Sequence, residues 1–312
     1  GIGGGFGGAA GTITISGGAV TATGNGHGAG IGGGSADGGE ITITGGTVIA
    51  RGNGAGIGNG LPAGGDNGTF STGGNGRAVI FASRIGDSNT TDDWDGVIFK
   101  DGAGKVYGTN IAPIEDFEIP ESSTLTIGDG KTLTISQGIT LTNKGTITVN
   151  DGGALVNQGT ITGSGEIRLS GGSTVQTGDG PEMTLPNGGT IDPDTGAVTP
   201  DEGDSVVIGS GDGTITITPP TDEGVIPNDD GSVTIPGGST VQTGNGPSIT
   251  VDEGTAGATV GNDGSITLPD GGSATIGSGD NTTTITPPGG GTIKPNGDVV
   301  VTVTFFNQGG AA

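Results

Sequence analysis

Cysteine is absent from this chain of 312 residues, and Phe, Trp and Tyr together make up only 3% of it. The first absence excludes a disulfide framework, and it fits a bacterial exoprotein. The second, with hydrophobic residues at 29%, leaves too little bulk for an ordinary globular core. Bases are scarce as well: 9 Lys and Arg stand against 33 Asp and Glu, a net charge of −24, and Lys294 is the only base after residue 170. Phosphate neutralisation needs Lys and Arg clusters, so no nucleic-acid partner is expected. His27 is the only histidine, which alone makes neither a triad nor a metal cluster and reads as a loop residue. No apolar run is long enough to cross a bilayer and no signal-peptide pattern occurs, so no membrane insertion is expected.

Glycine is what the chain has in excess, at 76 residues. Low hydrophobicity with surplus acid can mean disorder. Against that, Ile, Val and Thr recur at period 2 and the glycines sit at fixed offsets, as β-structure requires. Thr12 to Gly26 returns as Glu40 to Gly54, 28 positions later, and each copy closes on Ala-Gly-Ile-Gly, at Ala29 to Gly32 and Ala55 to Gly58. Repeats of this length mark a solenoid, because one unit cannot bury its apolar face without a neighbour stacked on it. Within residues 1–78 the expected interior positions are Ile13, Ile15, Val20, Ile31, Ile41, Ile43, Val48 and Ile57, and Gly17-Gly18 and Gly45-Gly46 are expected at corners with positive φ. Gly1 to Gly5 matches Gly30 to Gly34, the end of a repeat, as a piece of a longer solenoid would.

Residues 79–120 interrupt the repeat and carry the only Trp and the only Tyr, Trp94 and Tyr107. Regular coiling is expected again over 121–170, where Thr142 to Thr148 returns as Val156 to Thr162 at an offset of 14, half of 28. Asn143 and Asn157 are then candidates for a stacked asparagine position. Over 171–302 proline appears at strand ends. Gly171 to Pro181 returns as Gly237 to Pro247, and Val175, Ile191, Ile208, Ile226, Val241, Val260, Ile276 and Ile293 beat out units of about 17 residues, each strand, turn and strand. Asp230-Gly231, Asp263-Gly264 and Asn296-Gly297 supply the turns. At about 4.8 Å per stacked strand, eight such units would extend a rod by roughly 40 Å if each were one coil. Residues 303–312 hold the end of an apolar strand, Val299 to Phe306, and the tail.

Gly28 to Gly34, Ile41 to Gly46, Val79 to Ser83, Trp94 to Phe99 and Gly104 to Gly108 resemble the long repetitive surface proteins of anaerobic gut Bacillota. The resemblance covers about residues 1–170 well and the proline-rich repeats loosely. It implies a secreted or wall-attached β-helical region of a large protein. Some relatives carry carbohydrate-binding labels, without a residue-level site to transfer.

The candidate ligand site is Trp94 with Asp92, Asp93 and Asp95 and the nearby Tyr107: an indole face flanked by acceptors could hold a sugar, or Trp94 could pack on the end of a coil. Calcium is the candidate cofactor, because turns bearing Asp212, Asp229, Asp230 and Asp280 offer hard oxygen ligands, although acidic turns on a rod are usually just solvated. Gly28 to Gly33 matches a dinucleotide fingerprint, but no helix follows, so the match comes from glycine abundance. Glycoside hydrolases and pectate lyases use paired carboxylates on β-helices, which makes Glu115, Asp116 and Glu118 candidates, but a lyase also needs a base or Arg near bound calcium, the nine basic residues form no cluster, and no catalysis is expected. The expected fold is all-β, an elongated right-handed parallel β-helix or related solenoid with a C-terminal array of about 17-residue repeats. The expected role is an extracellular stalk, fibre or adhesin scaffold that self-associates, with recognition of a host or cell-wall polysaccharide along the β-helix face or at Trp94 as the alternative.

Overall fold

The computed structural model describes residues 1–61, 66–86, 93–278 and 281–301. Asp92, Asp280 and the strand end from Thr302 to Phe306 lie outside the described residues. The fold is all-β and falls into two compact units, residues 1–178 with 188–196, and residues 179–187 with 197–312.

The first unit is a β-solenoid of stacked parallel coils. Thr12–Ile15 pairs in parallel with Glu40–Ile43, which pairs with Thr69–Ser71; the coil steps are 28 and 29 residues. Ile2–Gly3, Ile31–Gly32 and Ile57–Gly58 form a second ladder, and Ala19–Thr23, Gly46–Arg51 and Ala78–Ala82 a third. Ile31, Ile41, Ile43, Val48 and Ile57 are buried as expected. Ile13, Ile15 and Val20 are only half-buried, because they belong to the first coil and have a neighbour on one side alone. Of the paired glycines only the second takes positive φ, Gly18 at 79° and Gly46 at 87°.

Residues 79–120 are not an interruption of the solenoid but its turning point. Gly96–Lys100 adds in parallel to Ala78–Ala82, and then Ala103–Tyr107 returns antiparallel beside it. Thr124–Ile127, Thr146–Val149 and Glu166–Ser170 continue the same sheet in the reversed direction, followed by Gly188–Ile191 antiparallel. Paired positions in a sheet share a face. On one face lie Val48, Ile80, Ile98, Lys105 and Thr126; the first three are buried, Lys105 is exposed and Thr126 half-exposed. On the other face lie Ile49, Phe81, Phe99, Gly104 and Leu125; here Ile49 and Phe81 are half-exposed and the rest buried. The core therefore changes sides within one continuous sheet. Strand Gly96–Lys100 is buried on both faces, which is why it reads Val-Ile-Phe rather than alternating.

The second stack has three ladders, with Asn110–Ile111, Thr132–Ile135, Ala154–Asn157 and Ser173–Thr177 in one and Phe117–Ile119, Thr140–Asn143 and Thr160–Thr162 in another. Thr124 pairs with Thr146 and Thr146 with Glu166, so a coil here takes 22 and then 20 residues. The 14-residue repeat is thus not half a coil of 28. It relates strands two sides apart in the winding, with Thr146–Val149 between them: Asn143 ends one ladder strand and pairs with Ile119, while Asn157 ends another and pairs with Ile135 and Thr177. The two asparagines do not stack.

The second unit keeps the expected beat of about 17 residues but winds no parallel coil. Each repeat is an antiparallel hairpin, and successive hairpins alternate between two sheets. Val206–Ile208 with Ile215–Thr218, then Thr240–Thr243 with Ile249–Val251, then Ala274–Ser278 with Asn281–Ile285 belong to one sheet. Ile226–Pro227 with Val233–Ile235, Ala258–Val260 with Ile266–Leu268, and Gly291–Ile293 with Val299–Val300 form the other. The hairpins are not independent, since each is also paired through at least one of its strands with a neighbouring hairpin of its sheet.

Candidate functional site

Trp94 closes the first core. It is 5% exposed, its ring meets Phe70 edge-on at 5.3 Å and Tyr107 at 5.2 Å, and Lys100 Nζ sits 5.1 Å from its centroid. Such a ring has no free face for a sugar, and the cluster seals the coil end where the chain crosses to the other side of the sheet. Tyr107 is half-buried in the same cluster, Asp93 is exposed, and Asp95 donates its backbone N–H to Thr72 Oγ1 at 2.5 Å.

The acidic turns are occupied by their own hydrogen bonds. Asp230 Oδ1 accepts from the backbone N–H and the hydroxyl of Ser232 at 2.9 and 2.6 Å, and Asp263 does the same with Ser265. These bonds, the hydroxyl first, hold both carboxyl groups below their usual value. Asp212 and Asp229 are exposed in separate turns. Among the described residues no group of three or more His, Cys, Asp or Glu side chains is placed to hold a metal ion.

Two open, adjoining clefts of the first unit lie elsewhere. Thr47, Ile49 and Arg51 point outward from Gly46–Arg51 and Phe81 from Ala78–Ala82, and they floor an open cleft of about 610 Å³. Its wall is the strand Phe117–Ile119 with Asp116, Glu118 and Pro120, and its far side Thr140 and Thr142. An adjoining cleft of about 450 Å³ runs past Asn25, Asn53, Ser83, Asp101 and Ser123 and shares Arg51, Phe81 and Pro120 with the first. The wall is pinned: Thr47 Oγ1 donates to the Asp116 carbonyl at 3.1 Å, Asp116 Oδ1 accepts the Thr140 N–H at 2.7 Å, and Lys144 pairs with Glu118 at 2.9 Å. The Glu118 hydrogen bond raises the Lys144 ammonium above its usual value, though both groups are exposed and the pair adds little stability. Arg51 is exposed and has no ion-pair partner among the described residues.

Of Glu115, Asp116 and Glu118, the last two line the groove with Arg51, whereas Glu115 Oε1 accepts the Gly18 N–H at 3.3 Å. The groove residues come from four separated stretches, so no motif announced them. One signal was present in the first repeat pair: outward Thr21 and Thr23 are replaced in the next coil by Ile49 and Arg51. A water-facing position turning apolar from one coil to the next marks a face that is no longer plain surface.

No family model matches this chain, and neither a curated protein nor a solved structure does. No helix among the described residues is long and apolar enough to cross a membrane.

Proposed function

We infer that this chain is a structural segment of an extracellular bacterial surface protein, a stalk, fibre or adhesin scaffold that carries out no reaction. One observation supports the reading above others: nine strands from Ala19–Thr23 to Gly188–Ile191 form one continuous sheet, so the coils on both of its faces share a single hydrogen-bonded spine. Pulling one stack away from the other requires breaking backbone pairs rather than a side-chain interface, and stiffness of that kind is what a scaffold needs. Self-association by end-to-end stacking is part of the proposal. The test is antibody labelling of intact source cells: label without permeabilisation is expected, and label only after permeabilisation contradicts a surface role. Sedimentation as a monomer at high concentration would argue against fibre formation.

A further inference from the structure

We propose that the groove over the outer faces of Gly46–Arg51 and Ala78–Ala82 binds a chain of neutral sugars. The floor offers Ile49 and half-exposed Phe81, apolar surfaces suited to the C–H face of a pyranose ring. The rim brings the Arg51 guanidinium, which has no ion-pair partner among the described residues, into the same cleft as the carboxylates of Asp116 and Glu118. A sugar hydroxyl is donor and acceptor at once, and this rim supplies partners for both roles.

The class of ligand follows from three further observations. The two clefts, of about 450 and 610 Å³, share Arg51 and Phe81 and so form one continuous groove, each part within the roughly 300–1,000 Å³ of ordinary ligand sites. Such a groove takes several rings rather than one. A peptide would gain affinity by adding a strand to a free edge, but Gly46–Arg51 is already paired on both sides, with Ala19–Thr23 and Ala78–Ala82. An anionic polymer would meet the carboxylates of Asp101, Asp116 and Glu118 against a single base, Arg51, among the groove's lining residues.

The experiment is affinity electrophoresis of the full chain, with chelator present, through gels containing soluble glucan, mannan, xylan, galactan or polygalacturonate. The expected result is retardation by at least one neutral polysaccharide and none by polygalacturonate. Arg51→Ala should weaken it by about tenfold or more, the loss expected for one charge-assisted hydrogen bond. Thr142→Trp, which fills the far side of the groove, should abolish it, and Lys105→Ala on the opposite face should leave it unchanged. Thermal melts of each variant identify any that fail to fold, and Thr142→Trp keeps the test open should Arg51→Ala do so. Retardation by no neutral polysaccharide, retardation chiefly by polygalacturonate, or unaltered binding by the folded groove variants overturns the proposal. None of these results bears on the scaffold reading, which stands or falls on cell labelling.

Discussion

Phe81 and Phe99 stack with ring centroids 4.6 Å apart and planes 14° apart, on the face of the sheet opposite to Ile80 and Ile98. Adjacent residues of the same two strands therefore serve two different cores. The aromatic pair is where the second core begins, and Gly104 across from Phe99 leaves room for its ring.

Truncating this pair should be felt in full. Phe99 is 2% exposed, and Phe99→Ala is expected to cost about 3–5 kcal/mol, the range for a buried aromatic. Gly104→Ala should also destabilise, because its Cβ would collide with the Phe99 ring. Denaturant unfolding followed by circular dichroism measures both. A loss under about 1 kcal/mol for Phe99→Ala would place the ring outside a packed core.

Trp94 is the only tryptophan, so its fluorescence reports on one site. At 5% exposure it should emit as a buried indole, resist acrylamide quenching and shift to the red only on unfolding. Free quenching in the folded state would restore the reading of Trp94 as an open sugar platform.

The corner glycines separate conformation from space. A Cβ at Gly18 meets nothing within 4 Å, so Gly18→Ala should cost only the strain of its positive φ, about 1 kcal/mol. A Cβ at Gly46 would press on the backbone of the coil beside it, 2.7 Å from the Gly17 carbonyl carbon, and Gly46→Ala should cost roughly 2 kcal/mol more. Equal losses would mean that the coils are not stacked in this register.

Acid should weaken the hairpin repeats through their turns. Asp230 and Asp263 have folded values below the usual 3.8, so the unfolded chain binds protons more readily. Their contribution is fully present above about pH 4 and is lost as pH falls through the folded values. Asn296 makes the same turn bond, accepting the Asp298 N–H at 3.0 Å without titrating. A variant with Asp230→Asn and Asp263→Asn should thus lose less melting temperature than the native chain between pH 5 and pH 3. Equal losses would contradict the assignment.

Much of this architecture was legible in the sequence, because period-2 alternation and the 28-residue repeat report directly on strand burial and coil length. What was not legible is pairing direction. Ser173–Thr177 and Thr240–Thr243 lie in copies of one sequence, Val175 and Val241 are both 1% exposed, and the serines before them, Ser173 and Ser239, are both fully buried. Yet the first strand pairs in parallel with Ala154–Asn157 and the second antiparallel with Ile215–Thr218. Alternation encodes which face is inside and is indifferent to the direction of the neighbour. For the same reason the run Val97-Ile98-Phe99 gave no hint that its two faces belong to different cores, and the loop before it read as an insertion. The groove was hidden because its floor and wall are brought together only by that change of side.

Strand Gly96–Lys100 is the buried middle of one sheet with a core on each face. Native-state amide hydrogen exchange tests it most directly. The amides of Ala78–Ala82, Gly96–Lys100 and Ala103–Tyr107 are expected to exchange among the slowest in the first unit, by the same global opening that frees Gly46–Arg51 on one side and Thr124–Ile127 on the other. Faster exchange over 96–107 than in the coils flanking it would mark a surface insertion between two independent stacks rather than one shared sheet.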